Sequence, residues 1–174
     1  IDEFNDINAR FTYDQMLKQG KSPEEALSWL NKYSRDHART PMQWDGSENA
    51  GFTAGKPWLK VNPNYQRINV EAALRNPNSV FYHYKKLIAL RKTNEVMVYG
   101  DFRDLLPKDR SVYAYTRTLG LVEWMILLNF SDSDKDVGLG RNAEGRMILS
   151  NYPDYIAEGQ VAHLRPYEAV ILKM

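Results

Sequence analysis

A chain of 174 residues with net charge +1, 43% hydrophobic and 26% charged residues, has the composition of a globular protein that folds in water. So small a net charge provides no broad field to draw it to nucleic acid or anionic lipid, and neither is expected as a partner. The absence of cysteine excludes disulfides, zinc-thiolate sites and thiol catalysis and fits a cytoplasmic location, and no apolar run approaches the ~18 residues of a membrane span.

No secretory signal pattern is present, and the first residue is Ile1, not Met, so the sequence reads as a piece of a longer polypeptide. Near its start, Asn5 or Asp6 can cap a helix with apolar positions at Ile7, Phe11, Met16 and Leu17, and Gly20 suits its stop. The next helix is marked by Ser22 as N-cap, Pro23 at the first helical position and Glu25 completing a capping box. Ala26, Trp29, Leu30 and Tyr33 then recur at helical spacing and predict one buried face, with the helix ending between Ser34 and His37.

From Ser34 to Trp58 no period of 2 or 3.6 survives. The stretch holds Arg35, Asp36, His37, Arg39, Gln43 and Asp45, three glycines, and Trp44, Phe52 and Trp58. An ordered loop of about 24 residues inside a domain is usually functional. Flat aromatics beside forked donors suit a sugar, whose faces stack and whose hydroxyls take hydrogen bonds. The same composition equally describes a packed loop with no ligand.

Asn69 can cap a short helix through Leu74, and Asn76-Pro77 makes a turn. A helix follows over about 78–92, with Val80, Tyr84, Leu87 and Ile88 as its apolar stripe and Lys85, Ala89 and Lys92 opposite. From Val96 the pattern turns to strands: VMVYG, DFRDLL, SVYAYTRTL and LVEWMILLNF, with RMILSNY and YEAVILKM beyond. In the fourth, Val122, Trp124, Ile126, Leu128 and Phe130 share one face while Met125 and Leu127 lie on the other, which predicts a central strand. The domain boundary falls near Asn94–Val98, giving units 1–95 and 96–174 of an α+β protein.

Few motifs carry chemistry. His37, His83 and His163 are far apart and lack metal-ligand spacing. Asp132, Asp134 and Asp136 open like a calcium loop, but Val137 stands where glycine is needed and no closing Glu follows. No metal or cofactor is expected. Asn129-Phe130-Ser131 is a glycosylation sequon, read as chance because Asn129 ends a buried strand. There is no phosphate loop and no nucleophile elbow. The 22 Asp and Glu residues scatter over helix surfaces and turns, so no carboxylate pair for glycoside hydrolysis is evident.

The segments SRDHARTPMQWD, NAGFT, KPW and VNPNYQRINVEAAL are specific enough to compare with a known family. So are NSVFYHYKKLIALRK, VYGDF, VYAYTRTLG, LLNFS and LRPYEAVILKM. In this order they resemble the oligo-1,6-glucosidase group of the α-amylase superfamily (glycoside hydrolase family 13) over essentially the whole chain. The resemblance implies a catalytic (β/α)8 barrel followed by an antiparallel β-sandwich, of which this chain carries the last barrel part (1–95, with the last barrel helix at about 78–92) and the β-domain (96–174). It implies a retaining α-glucosidase acting on short α-1,6- or α-1,4-linked gluco-oligosaccharides, with trehalose-6-phosphate hydrolase or sucrose isomerase as alternatives inside the family. A non-catalytic ancillary chain or a carbohydrate-binding module is the alternative outside it.

The family's nucleophile Asp, acid/base Glu and Asn-His-Asp stretch have no counterpart here, so no catalytic residue is expected. The resemblance assigns Arg35, from the Ser-Arg-Asp triplet, to the sugar pocket. Asn8 stands where the family commonly has a Glu paired with that Arg, and is the second substrate-binding candidate. Helices that evolved to cover a barrel would leave residues 1–94 prone to self-association.

Overall fold

The computed structural model describes residues 1–174. They form two compact units, Ile1–Tyr82 and His83–Met174, so the division falls a dozen residues before the boundary expected from the change to strand-like sequence.

In the first unit, helix α1 (Ile7–Lys18) starts at Asp6, whose carboxylate accepts the Asn8 amide. Helix α2 (Pro23–Tyr33) has the full reciprocal box: the Glu25 amide donates to Ser22 Oγ, and the Ser22 amide donates to the Glu25 carboxylate. The two helices pack through Ala9, Ala26 and Leu30, all buried. The predicted apolar faces are broader than this contact. Ile7 and Phe11 on α1, and Trp29 and Tyr33 on α2, stay exposed.

Beyond α2, Ser34 turns the chain to extended geometry at ψ 139° and caps a single 3-10 turn, Arg35–Ala38. Two further 3-10 turns, Glu48–Gly51 and Pro63–Gln66, and helix α3 (Val70–Arg75, capped by Asn69) complete the unit. The long loop is tied down by backbone pairing, the Val70 and Glu71 amides donating to the carbonyls of Gln43 and Trp44 at 2.9 and 3.0 Å.

Helix α4 (Val80–Thr93) turns Leu87 and Leu90 inward within the second unit, against Trp124, Ile126 and Ile171. Val80 (84% exposed), Tyr84 and Ile88 of the predicted stripe face solvent. VMVYG is not a strand. It forms a short helix, α5 (Val96–Tyr99), stopped at Gly100, where a Cβ would lie 2.5 Å from the Val96 carbonyl oxygen. The guanidinium of Arg117 donates to the Val98 carbonyl and that of Arg91 to the Met97 carbonyl, satisfying the open end of the helix. Val96 itself is buried beside Trp124.

The strands are β1 (Asp101–Asp104), β2 (Val112–Leu119), β3 (Val122–Asn129), β4 (Lys135–Gly138), β5 (Arg146–Ser150), β6 (Ile156–Glu158), β7 (Val161–Leu164) and β8 (Ala169–Lys173). They make a five-stranded sheet in the order β1-β2-β3-β8-β5 and a three-stranded sheet β4-β7-β6, both antiparallel. Strand β3 is central, as its two apolar faces predicted. Met125 and Leu127 join Val112, Ala114, Val170 and Leu172 against Val137, Ala162 and Leu164 of the smaller sheet, forming the core of a β-sandwich. Trp124 and Ile126, on the other face, are covered by α4 and α5.

Candidate functional site

Ser34 is where the site begins. By leaving helical geometry after α2 and capping the next turn through its hydroxyl, which accepts the Asp36 amide at 3.3 Å, it places Arg35 and Asp36 on opposite sides of one short 3-10 turn. Asp36 points inward and is buried. One carboxylate oxygen accepts the backbone amides of Asn5 and Asp6 at 2.8 and 3.0 Å, and the other accepts from Arg39 at 2.5 Å. Burial pushes the Asp36 pKa upward, but the two amides and Arg39 outweigh it and hold the carboxyl below its ordinary range.

Arg35 points the other way. Its Nε and Nη2 donate to the two oxygens of Asp6 at 3.0 and 2.8 Å, a fork-to-fork pair. Asp6 is 3% exposed, while the Arg35 side chain is 63% exposed, so the pair has one sealed end and one open end. Hydrogen bonding to Arg35, reinforced by the Asn8 amide, holds the Asp6 carboxyl far below its usual value, and the same pairing raises Arg35. The Arg35-Asp36 dipeptide therefore clamps the start of α1 from both sides, Asp36 through the backbone of residues 5 and 6 and Arg35 through the side chain of Asp6.

The two sequence-predicted site residues are thus brought near one carboxylate without touching each other through it in the same way. Arg35 bonds Asp6 with its side chain. Asn8 bonds Asp6 with its backbone amide, and its own side chain is exposed. The carboxylate that pairs with Arg35 lies two residues before the position expected. Asp6 was legible only as a helix cap, and its second role was missed. A carboxylate at an N-cap still has an oxygen to offer, and an arginine following a helix end is a natural partner. Asp36 was missed in the same way.

The rest of the loop supports this turn. Arg39 lies over the Trp58 ring with its guanidinium 5.3 Å from the centroid, and Asn5 Nδ2 donates to the Trp58 carbonyl at 2.7 Å. Gln43 donates to Asn64 at 2.9 Å and to the Ile68 carbonyl. Asn49, Ala50 and Gly51 are all left-handed, at φ 53°, 58° and 64°, a run that L-residues adopt only under constraint. The Ala50 carbonyl accepts the amides of Trp44 and Asp45 at 2.9 and 3.3 Å, which provides the constraint.

The remaining candidates have structural partners. Asn129 is buried, donating to the carbonyls of Ser133 and Arg165 at 2.8 and 2.9 Å, so its sequon has no free amide to modify. Asp136 pairs with His163 at 2.7 Å across strands β4 and β7. No group of three or more His, Cys, Asp or Glu side chains gathers around a common point that could hold a metal ion.

The chain is similar to known proteins. The family model described as alpha amylase, catalytic domain, matches residues 2–100. The chain is 44% identical over 179 residues to an oligo-1,6-glucosidase of Parageobacillus thermoglucosidasius, covering 100% of this chain and 32% of that protein. It is 37% identical over 171 residues to a trehalose-6-phosphate hydrolase of Escherichia coli (strain K12), covering 98% and 31%. Among solved structures, an isomaltulose synthase from Erwinia rhapontici NX5 superposes with TM-score 0.91 at 40% identity, over 99% of this chain and 32% of that one. A trehalose-6-phosphate hydrolase of Bacillus licheniformis does so with TM-score 0.92 at 35% identity, over 99% and 32%. The chain spans about a third of the length of these relatives.

Proposed function

The chain belongs to the α-amylase catalytic-domain family, and from that premise we propose that it is the C-terminal portion of a retaining α-glucosidase acting on short α-1,6- or α-1,4-linked gluco-oligosaccharides. In this reading residues 1–95 are the end of the catalytic barrel, residues 96–174 are its β-domain, and the catalytic carboxylates lie elsewhere in the full protein. Hydrolysis would run through a covalent glucosyl-enzyme. The cytoplasm is the proposed location.

The observation that carries the reading is the Arg35–Asp6 pair. A guanidinium fixed at one edge by a buried carboxylate, and open at the other, can give directed hydrogen bonds to a sugar hydroxyl without first being ordered. Asn8, at the second position of α1, adds a neutral donor and acceptor on an exposed side chain. It would meet the substrate from the same carboxylate-anchored corner. The exposed apolar side chains of α1 and α4, Ile7, Phe11, Val80 and Tyr84 among them, favour self-association of the isolated chain through residues 1–94.

The test has two arms. The isolated chain is assayed with p-nitrophenyl α-glucoside and isomaltose, and no turnover is expected. A full-length enzyme carrying this chain is then compared on isomaltose, trehalose 6-phosphate and sucrose. Hydrolysis of isomaltose as the preferred reaction supports the proposal. Preference for trehalose 6-phosphate, or isomerisation of sucrose, replaces it with one of the related activities named among the relatives.

A further inference from the structure

One aromatic pair on α2 stays about half exposed. Helix α2 docks on α1 through Ala26 and Leu30, which are fully buried, yet Trp29 and Tyr33 are 42% and 56% exposed. They stand one turn apart on the outer face with ring centroids 4.9 Å apart and planes inclined at 43°. Glu25, Trp29 and Tyr33 form one row at i, i+4 and i+8, and Glu24, Ser28 and Lys32 form the adjacent row. All six line one open groove of about 680 Å³, which Met16 of α1 extends with an apolar edge.

The two rows differ in chemistry in a way that selects a ligand. The aromatic row offers two apolar rings with centroids 4.9 Å apart, and the Lys32 ammonium lies 5.5 Å from the centroid of the Tyr33 ring. The polar row beside it offers, in order, a carboxylate, a hydroxyl and an ammonium. At the start of the groove Lys21 and Glu25 pair with each other at 3.3 Å. Its two acids and two lysines balance in charge, so nothing favours an anion or a cation. A second protein copy pressed onto the rings would have to desolvate the charged row. A neutral chain of pyranose rings would not. Its C–H faces cover the rings and its rim hydroxyls replace the water on Glu24, Ser28 and Lys32. The helix is held by its capping box, so the platform is ordered before anything binds.

We propose that Trp29 and Tyr33 form a binding platform for a neutral oligosaccharide, a site that includes neither Arg35 nor Asp6. That the sugar is an α-linked glucan rests on the proposed function, while the platform itself does not.

The experiment follows the indole N–H signals of the four tryptophans by NMR in the ¹⁵N-labelled chain, titrated with maltotriose, isomaltotriose and cellotriose. Trp29→Ala assigns the Trp29 signal by removing it. The expected result is a saturable shift of that signal with an α-linked trisaccharide, at a Kd on the order of 1 mM. Tyr33→Ala should raise that Kd at least about tenfold, with an unchanged far-ultraviolet spectrum. If only cellotriose shifts Trp29, the platform stands and the α-glucoside reading fails. If no sugar shifts it, or the shift follows protein concentration and not sugar, the platform proposal is overturned.

Discussion

Replacing Glu168 by Gln should destabilise the β-domain far more than a single carboxylate-to-amide change usually does. Glu168 is completely buried, at 0% exposure, in the turn between β7 and β8. One of its oxygens accepts the Arg165 amide at 2.8 Å and Arg165 Nε at 2.9 Å, and the other accepts Arg165 Nη2 at 2.9 Å. The glutamine amide can still accept on one side. On the other it sets an N–H against an arginine N–H. The loss is then one to two charge-assisted hydrogen bonds at about 1.5–3 kcal/mol each. Arg165 is not left orphaned, since Asp154 holds it at 2.6 Å and the Tyr152 ring lies 4.1 Å from its guanidinium carbon, so the full cost of breaking a buried pair does not apply. A net loss of about 3 kcal/mol results, which for a domain of this size lowers Tm by roughly 12–24 °C. Thermal unfolding followed by near-ultraviolet circular dichroism measures it. Because the Glu168 carbonyl also accepts the Asn129 amide at 2.8 Å, the near-ultraviolet signal should be lost in the same transition as the sheet. A variant within about 0.5 kcal/mol of the parent would show that Arg165 is held by Asp154 and Tyr152 alone, and would refute the reasoning.

Gly51→Ala should cost about 2 kcal/mol, because φ is +64° and a Cβ would lie 2.6 Å from the Asp45 carboxylate that accepts the Ser47 amide. Gly20→Ala, at φ +81° with nothing within 4 Å, should cost less, and equal urea midpoints for the two would contradict the clash. The acid limb of stability should also report Asp6 and Asp36. Both carboxyls are depressed in the folded state, so their contribution is complete above the unfolded value of about 3.9 and is lost as pH falls below it toward the folded values. Stability should be level from pH 7 to about 5 and then fall, and Asp6→Asn should lower the plateau and flatten that limb. An unaltered limb in Asp6→Asn would remove Asp6 from the account.

The capping box, the Asn69 cap and the central strand β3 were readable because each rests on local chemistry: a hydroxyl three residues from a Glu, or two apolar faces on one alternating run. The extent of burial was not. Trp29, Tyr33, Phe11 and Val80 have helical spacing and still face solvent, since spacing says which residues share a face and not which part of that face finds a partner. VMVYG was misread because its β-branched residues outweigh a four-residue helix by propensity. Burial of Val96 against Trp124 and the stop at Gly100 decide otherwise. Strands β4, β6 and β7 were too short and interrupted to register. At the site, Arg35 was visible through its Ser-Arg-Asp context, whereas Asp6 sits 29 residues away and its second role depends on the fold.

Asp6 also changes how Arg35 must be tested. Arg35→Ala would strand a buried carboxylate and lower stability whatever Arg35 does for substrate. Arg35→Lys keeps a cation for Asp6 but removes the fork. The decisive measurement is therefore kcat/KM on isomaltose together with Tm for Arg35→Lys, in a full-length enzyme carrying this chain, with Arg39→Lys as the structural control. The account predicts a fall in kcat/KM of about 10- to 100-fold, as for one charge-assisted hydrogen bond lost to the substrate, beyond a modest fall in Tm from the lost half of the fork on Asp6. A lowered Tm with unchanged kcat/KM would make Arg35 a loop strut and contradict its place in a sugar pocket.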